Sequence, residues 1–495
     1  MSFQERVASL VLLKSSRRVF PLVAFMIGVS CCNSFATDYF VSPSGNASWS
    51  QCTIESVTCS AVTAMNNAEA GDTVYFRGGI YLLTGDPANS TYTGPSTFQG
   101  WLQPANSGTD GAYITFKAYP GETPIMDAAE QGSDSKKGRA FGTNGKDYIV
   151  FDGFKLICKG GLLAGGIAIT AHDSGGSSDH CIIRNCEFDG GSQSIGFFGD
   201  NVEGIRAELV DYLLIENCLF YNYSTEMEAS GANTGAFKAY DTDHITITNC
   251  EFKNSSAGIY WKRNNKNMVA SYNYIHNVYW PIKISAGGAG PGDAINAKIF
   301  HNVIVNYTVS PNFFGKLGYF IHGFEYYNNT VYSSVVNSSH SCELRINDTD
   351  DGVYIYNNIF GGAGVYSMLS GTSGTSFSEF DHNTYLSFKP IYVRLYAADQ
   401  KSFSSLSAWQ ASGELLSGVN LGEGSIDTEL SSVFVNSSGQ LNQLNDFLLK
   451  PDSLCKGSGR GGGDMGANIA MVGYQVGGSP ARPAAPVDFV WENNI

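Results

Sequence analysis

Basic side chains recur on short alternating stretches in the middle of this chain: Lys238 in GAFKAYDTD, Lys262 and Arg263 in GIYWKRNN, Lys283 in PIKIS, and Arg345 in CELRIND. Phe237, Tyr240, Tyr260 and Tyr279 lie among them. If these stretches are stacked strands, matching side chains leave one face at intervals of about 4.8 Å. Aromatic faces beside cations suit sugar rings that carry carboxylates. A uronate with an acidic C5 proton can be cleaved by β-elimination, which needs a base, a cation to stabilise the enolate, and an acid for the leaving oxygen. A lysine crowded by other cations has its neutral form favoured, as a base requires. Lys262 beside Arg263 fits that role best. Arg263 or Lys238 would stabilise the enolate, and Lys283, Arg345, Tyr260 and Tyr240 would hold the polymer.

Carboxylates accompany the cations. Asp241 and Asp243, with Glu226 and Glu228 on the preceding loop, offer oxygen ligands for Ca²⁺, although alternating Asp at a turn also caps turns. Asp241 and Asp243 are equally the candidates for an inverting glycoside hydrolase, whose carboxyls stand roughly 6.5 to 9.5 Å apart. A third reading is a non-catalytic protein that only holds the polymer. NDTDDG, at 347–352, reads as a turn, and His172, His244, His276 and His322 read as structural.

The formal charge of the chain is -15. An acidic protein argues against nucleic acid as a partner and makes a basic strip stand out against the background field. Basic residues from Arg6 to Arg18, an apolar run from Val19 to Val29 and the small residues ending at Ala36 form a signal-peptide pattern, with cleavage expected after Ala36. Lipidation at Cys31 is the alternative. Export to the periplasm or beyond follows, and no later stretch is long and apolar enough for a membrane helix. In an oxidising compartment, Cys52 and Cys59 are candidates for a disulfide.

What would position the cations is a repeat. IIRNCEF, LIENCLF and TITNCEF place Cys186, Cys218 and Cys250 at intervals of 32 residues, and Phe154 in VFDGFKL precedes them by the same step. Asn273, Asn302, Asn329, Asn358 and Asn383 continue the slot. Repeats of this length with short strands indicate a solenoid whose coils bury their faces against one another. The Asn would form a ladder and the Cys a buried stack, rather than a metal site. Val62, Met65 and Ala68 predict an amphipathic helix that covers the first coil's open edge, and FSSLSAWQASG around Trp409 predicts another beyond the last clear coil. The expected organisation is a leader over 1–36, a β-helix with its N-terminal cap over 37–395, C-terminal coils and a cap over 396–474, and a loose tail over 475–495, as a monomer.

AGDTVYFRGGIY, the NC.F and NN.. coils, and the closing DFLLKPDSLCKGSG with DMGAN resemble the pectate-lyase superfamily over residues 38–470. The resemblance implies an all-β, right-handed parallel β-helix and a polysaccharide-lyase type of activity, with Lys or Arg as base and Ca²⁺ or a second cation on the carboxylate. The superfamily also holds hydrolases, epimerases and adhesins, so the resemblance alone does not choose the reaction. The paired Asp with Gly-His-Gly of polygalacturonases and the Asp-Pro-His of alginate epimerases are absent. No subfamily's catalytic residue can be carried over. The first reading is a secreted lyase acting on an acidic polysaccharide.

Overall fold

The structure, a computed structural model, describes residues 36–475 except 84–99, 129–137, 158–163, 172–175, 192–201, 224–234, 286–293, 308–312, 315–320, 335–341, 347–348, 363–366, 372–376, 387–390, 395–399, 412–421, 423, 437 and 439–440. The leader and the tail call therefore lie outside the described residues, apart from Ala36 and Gln475. So do Glu226, Glu228 and His172.

Each coil after the first contributes a strand to three parallel ladders in turn. In one coil these are Asp211–Glu216, Leu219–Tyr221 and Gly235–Tyr240, after which Asp243–Thr248 opens the next coil. The first ladder stacks twelve strands, from Asp38–Val41 to Phe377–Asp381. The second and third join into one 22-stranded sheet because Glu251–Lys262 and Tyr274–Ser285 run unbroken through the corner between them. This is a right-handed parallel β-helix, the hand that parallel crossovers take.

The corner between the first and second ladders shows why the repeat is legible. Its outer residue adopts a left-handed conformation in eight successive coils: Asn185, Asn217, Asn249, Tyr272, His301, Asn328, Asn357 and His382 have φ of 49° to 58°. Asn tolerates this region better than most residues, so it recurs there. The next residue points inward, and Cys186, Cys218, Cys250 and the five Asn of the slot are all fully buried. Each Asn side-chain oxygen accepts the backbone N–H of the preceding coil's slot residue: Asn273 from Cys250 at 2.9 Å, Asn302 from Asn273 at 3.0 Å, and Asn329 from Asn302 at 3.0 Å. Farther upstream the Cys250 sulfur takes over this role, accepting from the N–H of Cys218 at 3.4 Å. The three Cys are therefore a stack of free thiols. Beside them Phe188, Phe220 and Phe252 stack with centroids 4.5 and 4.8 Å apart. A Cβ on Gly166 or Gly204 would approach Phe188 or Phe220 to 2.6 or 2.9 Å, so glycine leaves room for the stack.

Both ends are closed. The helix Ala61–Asn67, capped by the Ser60 hydroxyl accepting from the N–H of Thr63, stands in the first coil where strands of the other ladders are missing. Its buried face is Ala61, Ala64 and Met65, continued by Ala68. The expected face shifts by one residue, leaving Val62 at the margin, because spacing of three, four and seven from Ala61 meets the core. Cys52 and Cys59 are buried free thiols near this cap, donating to the carbonyls of Trp49 at 3.2 Å and Phe40 at 3.7 Å, rather than the candidate disulfide. At the other end, Ile391–Arg394 pairs with Gln400–Phe403 in antiparallel fashion, and the helix Leu406–Ala411 buries Leu406 and Trp409.

The C-terminal segment departs from the expectation of further coils. One more strand, Ile426–Thr428, joins the second ladder, and the chain then turns back along that ladder's outer face. It follows the left-handed corner column: the Asn357 side chain accepts from the N–H of Arg460, Asn249 donates to the carbonyl of Met471, and Asn217 accepts from the N–H of Gln475. The reason lies in the strands beneath. Early second-ladder strands such as Glu187–Asp189 bury only their middle residue, whereas Val303–Val305, Thr330–Tyr332 and Ile359–Gly361 bury all three. Val303, Val305, Tyr332, Ile359 and Leu386 need a cover, which Val433, Phe434, Leu441, Phe447 and Met465 supply. Phe447→Ala should cost about 3–5 kcal/mol of strap docking. Limited proteolysis should then cut within 430–475 well before the coils, and an unchanged cleavage pattern would show that the strap holds by its backbone bonds alone.

Among the described residues no helix is long and apolar enough to cross a membrane.

Candidate functional site

The third ladder positions the cations. Its inward residues, Ile205 and Ala207, Phe237 and Ala239, Ile259 and Trp261, Ile282 and Ile284, are fully buried. Alternation turns the residues between them outward. Register then defines two outer columns. One runs Arg206, Lys238, Tyr260, Lys283, and continues by backbone register through Phe313 to Arg345. The other runs Glu208, Tyr240, Lys262, Ser285. Lys262 and Lys283 thus lie in different columns, contrary to a direct alignment, because Ile259 pairs with Ile282 and Trp261 with Ile284. The side chain of Arg345 lies outside the described residues.

Four further charged residues complete the site: Arg139, Glu203, Arg206 and Glu208. Glu203 is fully buried, and its carboxylate meets the Arg139 guanidinium at 2.5 Å, the Lys238 ammonium at 3.0 Å and Arg206 at 3.5 Å. Arg206 also pairs with Glu208 at 2.7 Å, and Arg263 bridges Glu208 and Asp241 at 3.0 Å each. Arg263 and Asp241 occupy left-handed corners, with φ of 68° and 52°, which fold them towards each other. Simple alternation misses Arg139 and Glu203, which fall in phase with inward Phe141 and Ile205. The signal for the exception is the glycine that follows Glu203: a Cβ on Gly204 would point at Phe220, so the strand turns inward twice in succession and releases Glu203 to the outside.

Two rings hold the cations close together. Tyr240 lies 4.4 Å from Arg206, 4.6 Å from Arg263 and 5.3 Å from both Lys238 and Lys262. Tyr260 lies 4.5 Å from Lys283, 5.7 Å from Lys238 and 6.0 Å from Lys262. Ring faces carry negative charge and soften the repulsion. Burial nevertheless lowers the Lys238 pKa to about 7, with Lys262 and Arg206 acting in the same direction and Glu203 opposing them. Burial, then Lys262, lowers Lys283 to about 8. Glu203 is held at about 2, its three cations outweighing its burial.

Accessibility separates the lysines. Lys238 is fully buried, Lys262 is 8% exposed, and Lys283 is half-buried at the rim with Tyr279 and Trp280, its ammonium 5.1 Å from the Trp280 ring. Among the described residues Lys283 makes no ion pair with a carboxylate.

Of the candidate calcium ligands, Glu226 and Glu228 lie outside the described residues, and Asp241 and Asp243 are engaged by different partners. Asp241 is engaged by Arg263 and by the Asn264 amide at 2.8 Å, whereas Asp243, on the first ladder, accepts from Asn267 at 2.7 Å and faces His244. Among the described residues no three His, Cys, Asp or Glu side chains gather around a common point. A carboxylate already neutralised by an arginine is a poor cation ligand, so Asp241 as placed does not suit Ca²⁺. His244 belongs to a column with Tyr148, His180 and Tyr212, stacked 4.6 Å apart, and His276 pairs with Glu251 at 3.1 Å.

Three stacked ladders, left-handed Asn corners and an internal Asn ladder together define the architecture. The fold is a right-handed parallel β-helix. No protein-family model matches the chain, and no curated protein matches its sequence. Among solved structures this β-helix is similar to pectate lyase Pel9A, with 18% identity over 89% of this chain and 97% of that one and a TM-score of 0.47. It is also similar to XylC in complex with xylose, at 12% identity over 73% and 86% with a TM-score of 0.41. An alginate lyase from a Paenibacillus species is 13% identical over 73% and 99%, with a TM-score of 0.38.

Proposed function

We propose that the third-ladder face binds an acidic polysaccharide and cleaves it by β-elimination. The observation that carries this reading is Lys283, a reachable lysine whose pKa is lowered to about 8, set beside a partly exposed tryptophan and a bank of fixed cations. Lys262 was the first candidate for the base. It lies deeper, against Tyr240 and Tyr260, and is better placed to hold Lys283 neutral by its charge. In the proposed step the neutral Lys283 amine removes the C5 proton. The C5–H electron pair forms the C4–C5 double bond as the C4–O bond breaks, and the leaving oxygen takes a proton from the resulting ammonium. Lys262 and Arg263 stabilise the negative charge that develops on the carboxylate. Tyr279 and Trp280 offer faces to neighbouring sugars.

The test uses pectate, alginate and other uronate polymers. Ultraviolet absorbance from unsaturated ends should appear, with the rate rising as pH increases through about 8 while Lys283 loses its proton. New reducing ends without absorbance would make the protein a hydrolase, and neither signal on any polymer would leave only binding. Activity should survive a chelator, since protein cations supply the neutralising charge. Loss in chelator with recovery on added Ca²⁺ would instead bring Asp241, Asp243, Glu226 and Glu228 back as ligands.

A further inference from the structure

Glu203 touches no part of the rim where Lys283 stands, yet it is the most heavily paired carboxylate of the site. Arg139 reaches it from two strands away, over Gly165, where a Cβ would lie 2.1 Å from the Arg139 Nη1. A strand position has thus been emptied so that a buried guanidinium can back a buried carboxylate. On its other side Glu203 holds Lys238 and Arg206. A structural ion pair needs one partner, but this carboxylate gathers three cations, two of which, Lys238 and Arg206, stand in the same outward column of the third ladder.

We propose that Glu203 is the positioning residue of this face: backed by Arg139, it holds Lys238 and Arg206 in place and helps Lys238 hold its charge against burial, adding to the positive charge that the polymer meets. The inference rests on the reading of this face as the site for an acidic polysaccharide. The groups facing Lys238 are Glu203 and Arg206 on one strand, Tyr240 on its own strand, and Tyr260 and Lys262 on the next. Of these, Glu203 alone favours the charged form through its own charge, while Lys262 and Arg206 oppose it. Arg139 acts at one remove, by drawing on the same carboxylate. Glu203 and Arg139 should therefore push in opposite directions. Without the carboxylate, Lys238 loses its proton at lower pH. Without Arg139, the carboxylate belongs more fully to Lys238 and Arg206, and Lys238 keeps its proton to higher pH.

The experiment follows Lys238 directly by side-chain NMR in lysine-labelled protein, with the signal assigned by Lys238→Arg, and follows affinity for polygalacturonate by gel electrophoresis from pH 6 to 9. Wild-type Lys238 should titrate near pH 7. Glu203→Gln should lower that midpoint by about one unit, equivalent to about tenfold in the protonation equilibrium, and should move the loss of polymer affinity to lower pH. Arg139→Gln should raise both, and Glu203→Asp should restore part of the wild-type behaviour. A purely structural pair would lower stability in both variants with no opposed shift, and that result would overturn the proposal. If Glu203→Gln does not fold, an Arg139→Gln midpoint that stays put or falls overturns it as well. The NMR titration needs no substrate. Shifted midpoints in a protein that binds no acidic polymer would sink the polysaccharide reading alone, and normal binding with unshifted midpoints would sink only the role of Glu203.

Discussion

Replacing Lys283 by Ala should lower turnover on a cleavable uronate polymer by ~10² to 10⁴ while leaving apparent affinity nearly unchanged. The size follows from what is lost. A general base acts only in the transition state, whereas ground-state affinity for the polymer is left to the remaining cations and aromatic rings. The neighbouring lysine gives a second readout with a defined sign. The charge of Lys262 lowers the Lys283 pKa, so Lys262→Met lets Lys283 keep its proton to higher pH. The neutral fraction at pH 7 then falls, and the acidic limb of the rate profile moves upward. The opposite pattern, with Lys262→Ala abolishing turnover and Lys283→Ala only weakening binding, would return the base to Lys262.

Asn329→Ala should cost on the order of 4 kcal/mol and lower the midpoint of thermal unfolding. The Asn329 side-chain oxygen accepts from both the N–H and the side-chain amide of Asn302, and its own amide donates to the carbonyls of Ile299 and Tyr327 and to Asn358. Truncation strands several of these groups without access to water, at roughly 1–3 kcal/mol for each that finds no new partner. Asn329→Cys should cost less, because the Cys250 sulfur already accepts the same backbone N–H elsewhere in the slot. Equal losses in the two variants would mean that the volume of the Asn, not its bonding, supports the ladder.

Much of the architecture was legible because it is local and repeated. An Asn in a left-handed corner followed by an inward Cys or Asn is a two-residue signal, and eight coils carry it or a close variant. Trp261 and Ile259 facing inward sufficed to turn Lys262 outward. The candidate site was half legible for the same reason. Lys238, Lys262, Lys283, Tyr240 and Tyr260 were found because they obey the two-residue alternation, and Arg139 and Glu203 were missed because they break it at a glycine-lined corner. The apolar triplets of the later second-ladder strands were visible, but nothing local says that a segment more than a hundred residues onward must cover them.

The sequence by itself determined the β-helix, the slot that locks its coils, and the face that carries the cations, since period and corner chemistry are properties of short stretches. Tertiary structure alone decided the register that separates Lys262 from Lys283, the meeting of Arg139 with Glu203 across 64 residues, and the return of the C-terminal strap to Asn217. It also decided which lysine reaches the surface. Burial and the field of neighbouring charges depend on the stacking of unequal coils, and coil length is set by loops whose sequences carry no period.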